Sequence, residues 1–187
     1  MNKIPSYKGL TLPELIMVMA IVAILTLISL PNLTQLFAAT QSRRVGNELL
    51  GLLSFARHEA IRSGRLVTLC PLNGLNQCGT DWNQPITIFS DPANTKHLAD
   101  PSQVALTFKP PTSGRLTIAS LTRKSFQFRS NGMTFGDLGN LTWCPETGDA
   151  RLASHLVVSR GGRARQSQNR LSDGTPIKAN GNPVQCL

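Results

Sequence analysis

The densest chemistry in this chain lies near its C-terminal end, in SRGGRARQSQNR. Arg160, Arg163, Arg165 and Arg170 fall within eleven residues, around Gly161 and Gly162. A guanidinium is planar, permanently charged and matched to phosphate oxygens. Glycines let the backbone turn tightly and approach a ligand closely. If the segment is extended, Arg163 and Arg165 point the same way and meet neighbouring charges along a polyanion. Lys178 would widen the patch. From Arg151 to the end, six basic residues face one acid, Asp173. This is the composition of a site for the DNA backbone. It is also that of a solvated, charged hairpin tip, and spacing alone does not separate the two. No aromatic residue lies between Arg151 and the C-terminus. Base stacking by this loop is therefore not expected, and binding through it should be blind to sequence.

The rest of the charge points the same way. The chain has 19 Lys and Arg against 10 Asp and Glu. Lys3, Lys8 and Glu14 precede Gln41, which leaves 17 against 9 beyond it. Such an excess attracts nucleic acid, anionic lipid or acidic protein without choosing among them. Catalysis finds little support. His58, His97 and His155 are scattered, and Asp91, Asp100, Asp137 and Asp149 sit in turn-like contexts where aspartate belongs without catalytic duty. No nucleophile elbow, zinc-protease motif or phosphate-binding loop occurs. The chain reads as a non-enzyme without a cofactor or resident metal.

Four cysteines, Cys70, Cys78, Cys144 and Cys186, follow an export-like segment, which suggests two disulfides. Their spacing does not match the paired knuckles of structural zinc sites. Cys70–Cys78 would close a short turn and Cys144–Cys186 would pin the tail, but four cysteines allow three connectivities and the sequence does not choose.

A second chemical signal is a carboxylate at the head of an apolar run, KGLTLPELIMVMAIVAILTLISLPNL. No charged residue occurs from Leu15 to Leu30, and Leu10 to Leu33 is long enough to cross a bilayer as a helix. Lys3 and Lys8 precede it, so the N-terminus is expected in the cytoplasm and the bulk of the chain outside. A charge at the centre of a membrane helix costs about 2.5–3.5 kcal/mol and less near the edge. Glu14 thus marks the interface, belongs to an ordinary signal peptide, or has a partner that offsets the cost. The apolar run ends in Pro31 and then FAAT (Phe37 to Thr40), a poor match to a signal-peptidase site.

The elements that position these groups follow from periodicity. Leu36, Val45, Leu49, Leu53, Ala56 and Ala60 recur on one helical stripe that ends near Ser63–Gly64. Strands are expected in LVTLC (from Leu66), PITIFSD (from Pro85), QVALTFKP (from Gln103), RLTIASL (from Arg115), KSFQFRS (from Lys124) and NLTWCP (from Asn140). PLNGLNQCGTDWNQ reads as a turn-rich hairpin, and HLVVSRGGRARQ as a final strand running into a turn. A long helix followed by antiparallel strands is an α+β fold. The expected segments are a leader over 1–9, a transmembrane helix over 10–33, its amphipathic continuation over 34–64 and a β-rich globular domain over 65–187.

The stretch KGLTLPEL resembles the processing site of type IV prepilins and pseudopilins. The resemblance implies cleavage by a prepilin peptidase after Gly9, N-methylation of Leu10, and pairing of Glu14 with the N-terminal amine of a neighbouring subunit during filament assembly. A carboxylate and an ammonium in low dielectric attract strongly and make the register specific. Where the family usually begins its mature chain with Phe, this one has Leu10. The helix ending in RSGR, then VTLCP, Cys78 and Trp82, and the ending LVVSRGGRAR are similar to the FimT/GspH branch of minor pilins and pseudopilins. FimT-type pilins of natural transformation carry a Gly-Arg-x-Arg motif that binds DNA, and Gly162, Arg163, Ala164 and Arg165 match it. The resemblance implies a pilin-like fold and a pilus subunit that captures extracellular DNA through Arg160, Gly162, Arg163, Arg165, Arg170 and Lys178. The other pilins of the filament and the inner membrane are its further partners, with the globular domain periplasmic before assembly and extracellular after it. The alternative is a subunit that primes pilus or type II secretion assembly without touching DNA.

Overall fold

The computed structural model describes residues 11–120, 124–136 and 138–186, without the side chains of residues 27–35 and 120. One long helix, α1, spans Leu12–Ser63. Eight strands follow: β1 (Val67–Pro71), β2 (Ile86–Ser90), β3 (Val104–Phe108), β4 (Gly114–Ser120), β5 (Phe126–Phe128), β6 (Gly139–Pro145), β7 (Ser154–Val158) and β8 (Ala164–Gln166). They form two antiparallel four-stranded sheets, ordered β3-β2-β1-β5 and β4-β6-β7-β8. The chain divides into two compact units, Met1–Ala39 and Thr40–Leu187.

In the first unit, helix runs on through Pro31. Glu14 lies in the first turn of α1, exposed, as are Leu12, Ile16, Met17 and Met19. Leu36 is 63% exposed, so it does not share the buried fate of the stripe to which its spacing assigned it. Among the described residues, no helix is long and apolar enough to cross a membrane. The apolar run of the sequence continues through residues 27–35, whose side chains lie outside that description.

The second unit holds the core. Every buried residue among those described lies at Ser42 or beyond, together with both sheets and both disulfides, so this unit is self-contained. Val45, Leu49, Leu52, Leu53, Ala56 and Ala60 of α1 are all buried. They cluster with Val67, Leu69, Ile86 and Ile88 of the first sheet and with Leu116, Leu141, Trp143 and Leu156 of the second. Ala56 and Ala60 are fully buried, and their small side chains allow close approach to α1.

The sequence pattern of β1 is continuously apolar apart from Thr68, and all five of its residues are buried. Val67 and Leu69 join the main core, while Cys70 packs with Phe89 and Leu98 in a second cluster. The outer face is closed by the segment after β2. There Asp91, 3% exposed, accepts from the Thr68 hydroxyl (2.9 Å) and the backbone N–H groups of Thr95 (2.8 Å) and Lys96 (3.0 Å). Gln127 donates to Thr68 Oγ1 (2.9 Å) and Asn94 Oδ1 (2.8 Å). A buried carboxylate with this many donors is satisfied, and the loop it organises is held against the sheet.

The structure joins Cys70 to Cys78 and Cys144 to Cys186. The first closes the expected turn, where the chain folds back on itself through the antiparallel bridge of Leu72 with Cys78 and is joined by Gln77 with His97. The second holds the C-terminal tail beside Ala153 and Val184. β8 is an eighth strand where the sequence suggested only a turn. Arg-Ala-Arg-Gln lacks the β-branched and aromatic residues that mark a strand, and pairing with β7 supplies what propensity does not.

Two glycines lock the C-terminal hairpin to the rest. Gly162 adopts φ +72° and is buried, and a β-carbon built there would lie 1.9 Å from the Gly132 carbonyl oxygen. Gly132, at φ +76°, leaves the matching space against Ile61 of α1, and its carbonyl accepts from Arg57 Nε at 2.9 Å. Thr134 adds two bonds to the Arg160 carbonyl, from its N–H (3.0 Å) and its hydroxyl (3.1 Å). The turn after β5, the turn after β7 and α1 therefore meet at one point.

Substituting Gly162→Ala should destabilise the Thr40–Leu187 unit by about 2–3 kcal/mol, from left-handed strain plus overpacking. Gly161→Ala, whose nearest neighbour would be the Ser159 hydroxyl at 3.9 Å, should stay within about 0.5 kcal/mol in the same urea titration. A second expectation concerns His155, 1% exposed, with Nδ1 bonded to the Thr142 hydroxyl at 2.8 Å. Burial, and then the Lys178 charge, lower its pKa from the ordinary value near 6.5. The unfolded chain then binds a proton that the folded chain does not. The His155 contribution to stability is thus complete above about pH 6.5 and is lost as the pH falls below it. The thermal midpoint should fall between about pH 7.5 and 5.5, and less steeply in His155→Asn.

Candidate nucleic-acid interface

The β7–β8 hairpin presents the arginines. β8 is the outer strand of its sheet, paired through Leu156 with Gln166, Val157 with Arg165 and Val158 with Ala164. Alternation along a strand sends successive side chains to opposite faces. Ala164 packs on the core, and Gln166 donates to the Ser154 hydroxyl at 2.8 Å. Arg165, and Arg163 just before the strand, take the other side and are exposed. The turn is closed by the Arg163 carbonyl, which accepts from the Ser159 N–H (3.0 Å) and hydroxyl (3.2 Å). Among the described residues, the side chains of Arg160, Arg163 and Arg165 make no hydrogen bond or ion pair, which leaves their donors directed at solvent.

The remaining basic residues divide. Lys178 is half-buried and lines a cleft of about 440 Å³ together with Arg165, Val157, Gln168 and Asn169. Arg170, although exposed, donates from Nη1 to the carbonyls of Gly174 (2.6 Å) and Arg151 (3.2 Å), so it holds the tail loop together instead of joining Arg163 and Arg165. Arg151 pairs with Asp149, Nη2 to Oδ2 at 2.8 Å. The hydrogen bonds of Arg151 hold the Asp149 carboxyl below its ordinary range, and Asp149 raises the Arg151 pKa in return.

A contributor invisible to spacing arguments is Arg129. It is exposed, and its Cζ lies 4.5 Å from the centroid of the Phe135 ring. Arg129 and Arg160 line a cleft of about 370 Å³ with Met133, Thr134 and Gly136. The sequence marks a turn at Ser130-Asn131-Gly132, but the bond that brings this turn beside Arg160 spans 26 residues, from Thr134.

Of the other candidate residues, Gly9 and Leu10 lie outside the described residues. A larger groove, about 910 Å³, runs beside β4 and is lined by Asp81, Asn83, Pro110, Pro111 and Arg115 among others. There Asp81 is held below its usual pKa by hydrogen bonds from Gln84 and Asn83. His58 and His97 are exposed. Among the described residues, no group of three His, Cys, Asp or Glu is placed to hold a metal ion.

The family model for type II transport protein GspH matches residues 45–162, and that for the prokaryotic N-terminal methylation motif matches residues 4–30. No curated protein matches the chain. Among solved structures, the type IV minor pilin FimU of Pseudomonas aeruginosa (strain PAO1) in space group P21 superposes with a TM-score of 0.56. It is 17% identical, over 79% of this chain and 96% of that one. The same pilin in space group P65 gives 0.52 at 19% identity, over 78% and 99%. The minor pseudopilin EpsH of the Vibrio cholerae type 2 secretion system gives 0.47 at 14% identity, over 67% and 94%. The GspH match covers more than half of the chain and the methylation motif precedes it; the chain belongs to the GspH family and is a minor pilin or pseudopilin of the type IV class.

Proposed function

We propose that this chain is a minor type IV pilin that binds extracellular DNA through its β7–β8 hairpin and promotes DNA uptake in natural transformation. The observation that carries the reading is the placement of Arg163 and Arg165. Both stand exposed, Arg165 on an outer strand and Arg163 just before it, and neither is neutralised by a described carboxylate. Phosphate oxygens are the natural partners of such guanidinium groups, and Arg160 adds a third free charge. Gly162 belongs to this reading as the residue that sets the turn, and Lys178 as a flanking charge beside Arg165. Arg170, engaged with two carbonyls, contributes to the loop's shape more than to contact with DNA.

Assembly supplies the other half of the function. In our reading the leader is removed after Gly9 and Leu10 is methylated. Residues 10–33 anchor the subunit in the inner membrane, with the globular domain in the periplasm, until it joins the other pilins of a filament. The Glu14 carboxylate, placed in the first turn of a helix with exposed apolar side chains, is suited to meet the amine of a neighbouring subunit. A subunit that primes pilus or secretion-filament assembly without a DNA role shares this N-terminal chemistry and lacks only the use of the hairpin.

Two measurements separate these readings. The Thr40–Leu187 unit, titrated with two duplexes of unrelated sequence, should bind both alike, on the order of 10⁻⁴ to 10⁻⁶ M at physiological salt. Three phosphate contacts give a log–log salt slope of roughly −3, and Arg163→Ala with Arg165→Ala should remove most of it. No binding even at low salt would leave the assembly role as the function. In cells, Glu14→Ala should abolish incorporation into filaments and DNA uptake together. The double arginine variant should still be incorporated while uptake is lost.

A further inference from the structure

The cleft beside Arg160 differs from the rest of the basic surface. Arg129, exposed, holds its Cζ over the half-buried ring of Phe135, 4.5 Å from the centroid, so the guanidinium is backed by an aromatic ring and still reaches solvent. Met133, 46% exposed, offers a polarisable apolar surface next to it. Arg160 stands on the opposite strand connection, exposed and without a described partner. Backbone hydrogen bonds tie the segments that carry these groups. The Phe135 N–H donates to the Gln127 carbonyl at 2.9 Å, the Arg129 N–H to the Met133 carbonyl at 2.8 Å, and Thr134 to the Arg160 carbonyl. At about 370 Å³ the cleft has the size of a small-molecule site, which begins at about 300 Å³.

We infer that this cleft receives an unpaired base of DNA, stacked on the Phe135-backed guanidinium of Arg129 and flanked by Met133, while Arg160 takes the adjoining phosphate. The inference rests on the reading that the β7–β8 hairpin binds the DNA backbone, since Arg160 opens that hairpin turn and would be shared between the two. Guanidinium planes and aromatic rings both stack on splayed nucleic-acid bases, and stacking is tolerant of base identity. A base inside a duplex has both faces covered by its neighbours and cannot enter. The hairpin alone would treat single and double strands as similar polyanions. With the cleft, single strands and overhanging ends gain a contact that a blunt duplex lacks.

The test uses the Thr40–Leu187 unit and three fluorescent probes: a blunt duplex, the same duplex with a short single-stranded overhang, and that overhang made abasic. The expected result is about tenfold tighter binding of the overhang than of the blunt or abasic probe, within the range of one base stacked on one aromatic platform. Arg129→Lys keeps the charge and removes the planar fork, and should erase this preference, read as the ratio of overhang to blunt-duplex affinity within the variant itself. Phe135→Ala should do the same, with thermal unfolding run alongside because the ring is half-buried. Equal binding of all three probes overturns the inference and leaves the hairpin reading standing. A preference that survives in Arg129→Lys also overturns it. Absence of binding to every probe overturns both.

Discussion

One face of one helix has to seat two sheets, and most of what is distinctive in this molecule follows from that. Between Val45 and Ala60, α1 buries six apolar side chains against strands from both sheets. Leu49, Leu53, Ala56 and Ala60 are at or near zero exposure, in a unit that contains all of the described core. Burying such side chains contributes about 1.5–3 kcal/mol for each large one, and close packing makes the geometry unforgiving. The alanines matter as much as the leucines, because a larger residue at either position would push the sheets away. Whatever the hairpin does, it does from a position fixed by this packing.

The second constraint is where irregular chain meets regular chain. The turns after β5 and after β7 touch through two glycines in left-handed conformation, with Arg57 of α1 bonded to the same carbonyl. Loops carry function when a rigid scaffold aims them, and here the aiming is done by backbone approach that no side chain could permit. This gives the Gly-Arg-x-Arg segment a division of labour. The glycine is structural, the alanine packs inward, and the two arginines are left outside.

Charge is sorted by the same geometry. Six basic residues near the C-terminus look equivalent on paper. In the fold Arg151 is paired with Asp149, Arg170 bonds to two carbonyls, Lys178 is half-buried, and three arginines remain free. A residue far from that segment, Arg129, joins the free group by way of the Thr134–Arg160 bonds. The effective basic surface is therefore neither the charge count of the tail nor confined to it.

Local pattern alone determined a good deal. The helix that ends at Ser63, most strand positions and the buried stripe from Val45 to Ala60 all rest on short-range periodicity, composition and turn chemistry. Three things were decided only by tertiary structure. The short strand β8 has no strand propensity of its own and exists because β7 offers it a ladder. Cysteine pairing depends on which cysteines the fold brings together, since four cysteines admit three solutions. The composition of the basic site depends on contacts between turns about thirty residues apart, and no periodicity reaches that far. Sequence records the chemical type of each arginine, whereas which of them is free is settled by whether a carbonyl, a carboxylate or only solvent lies within hydrogen-bonding distance.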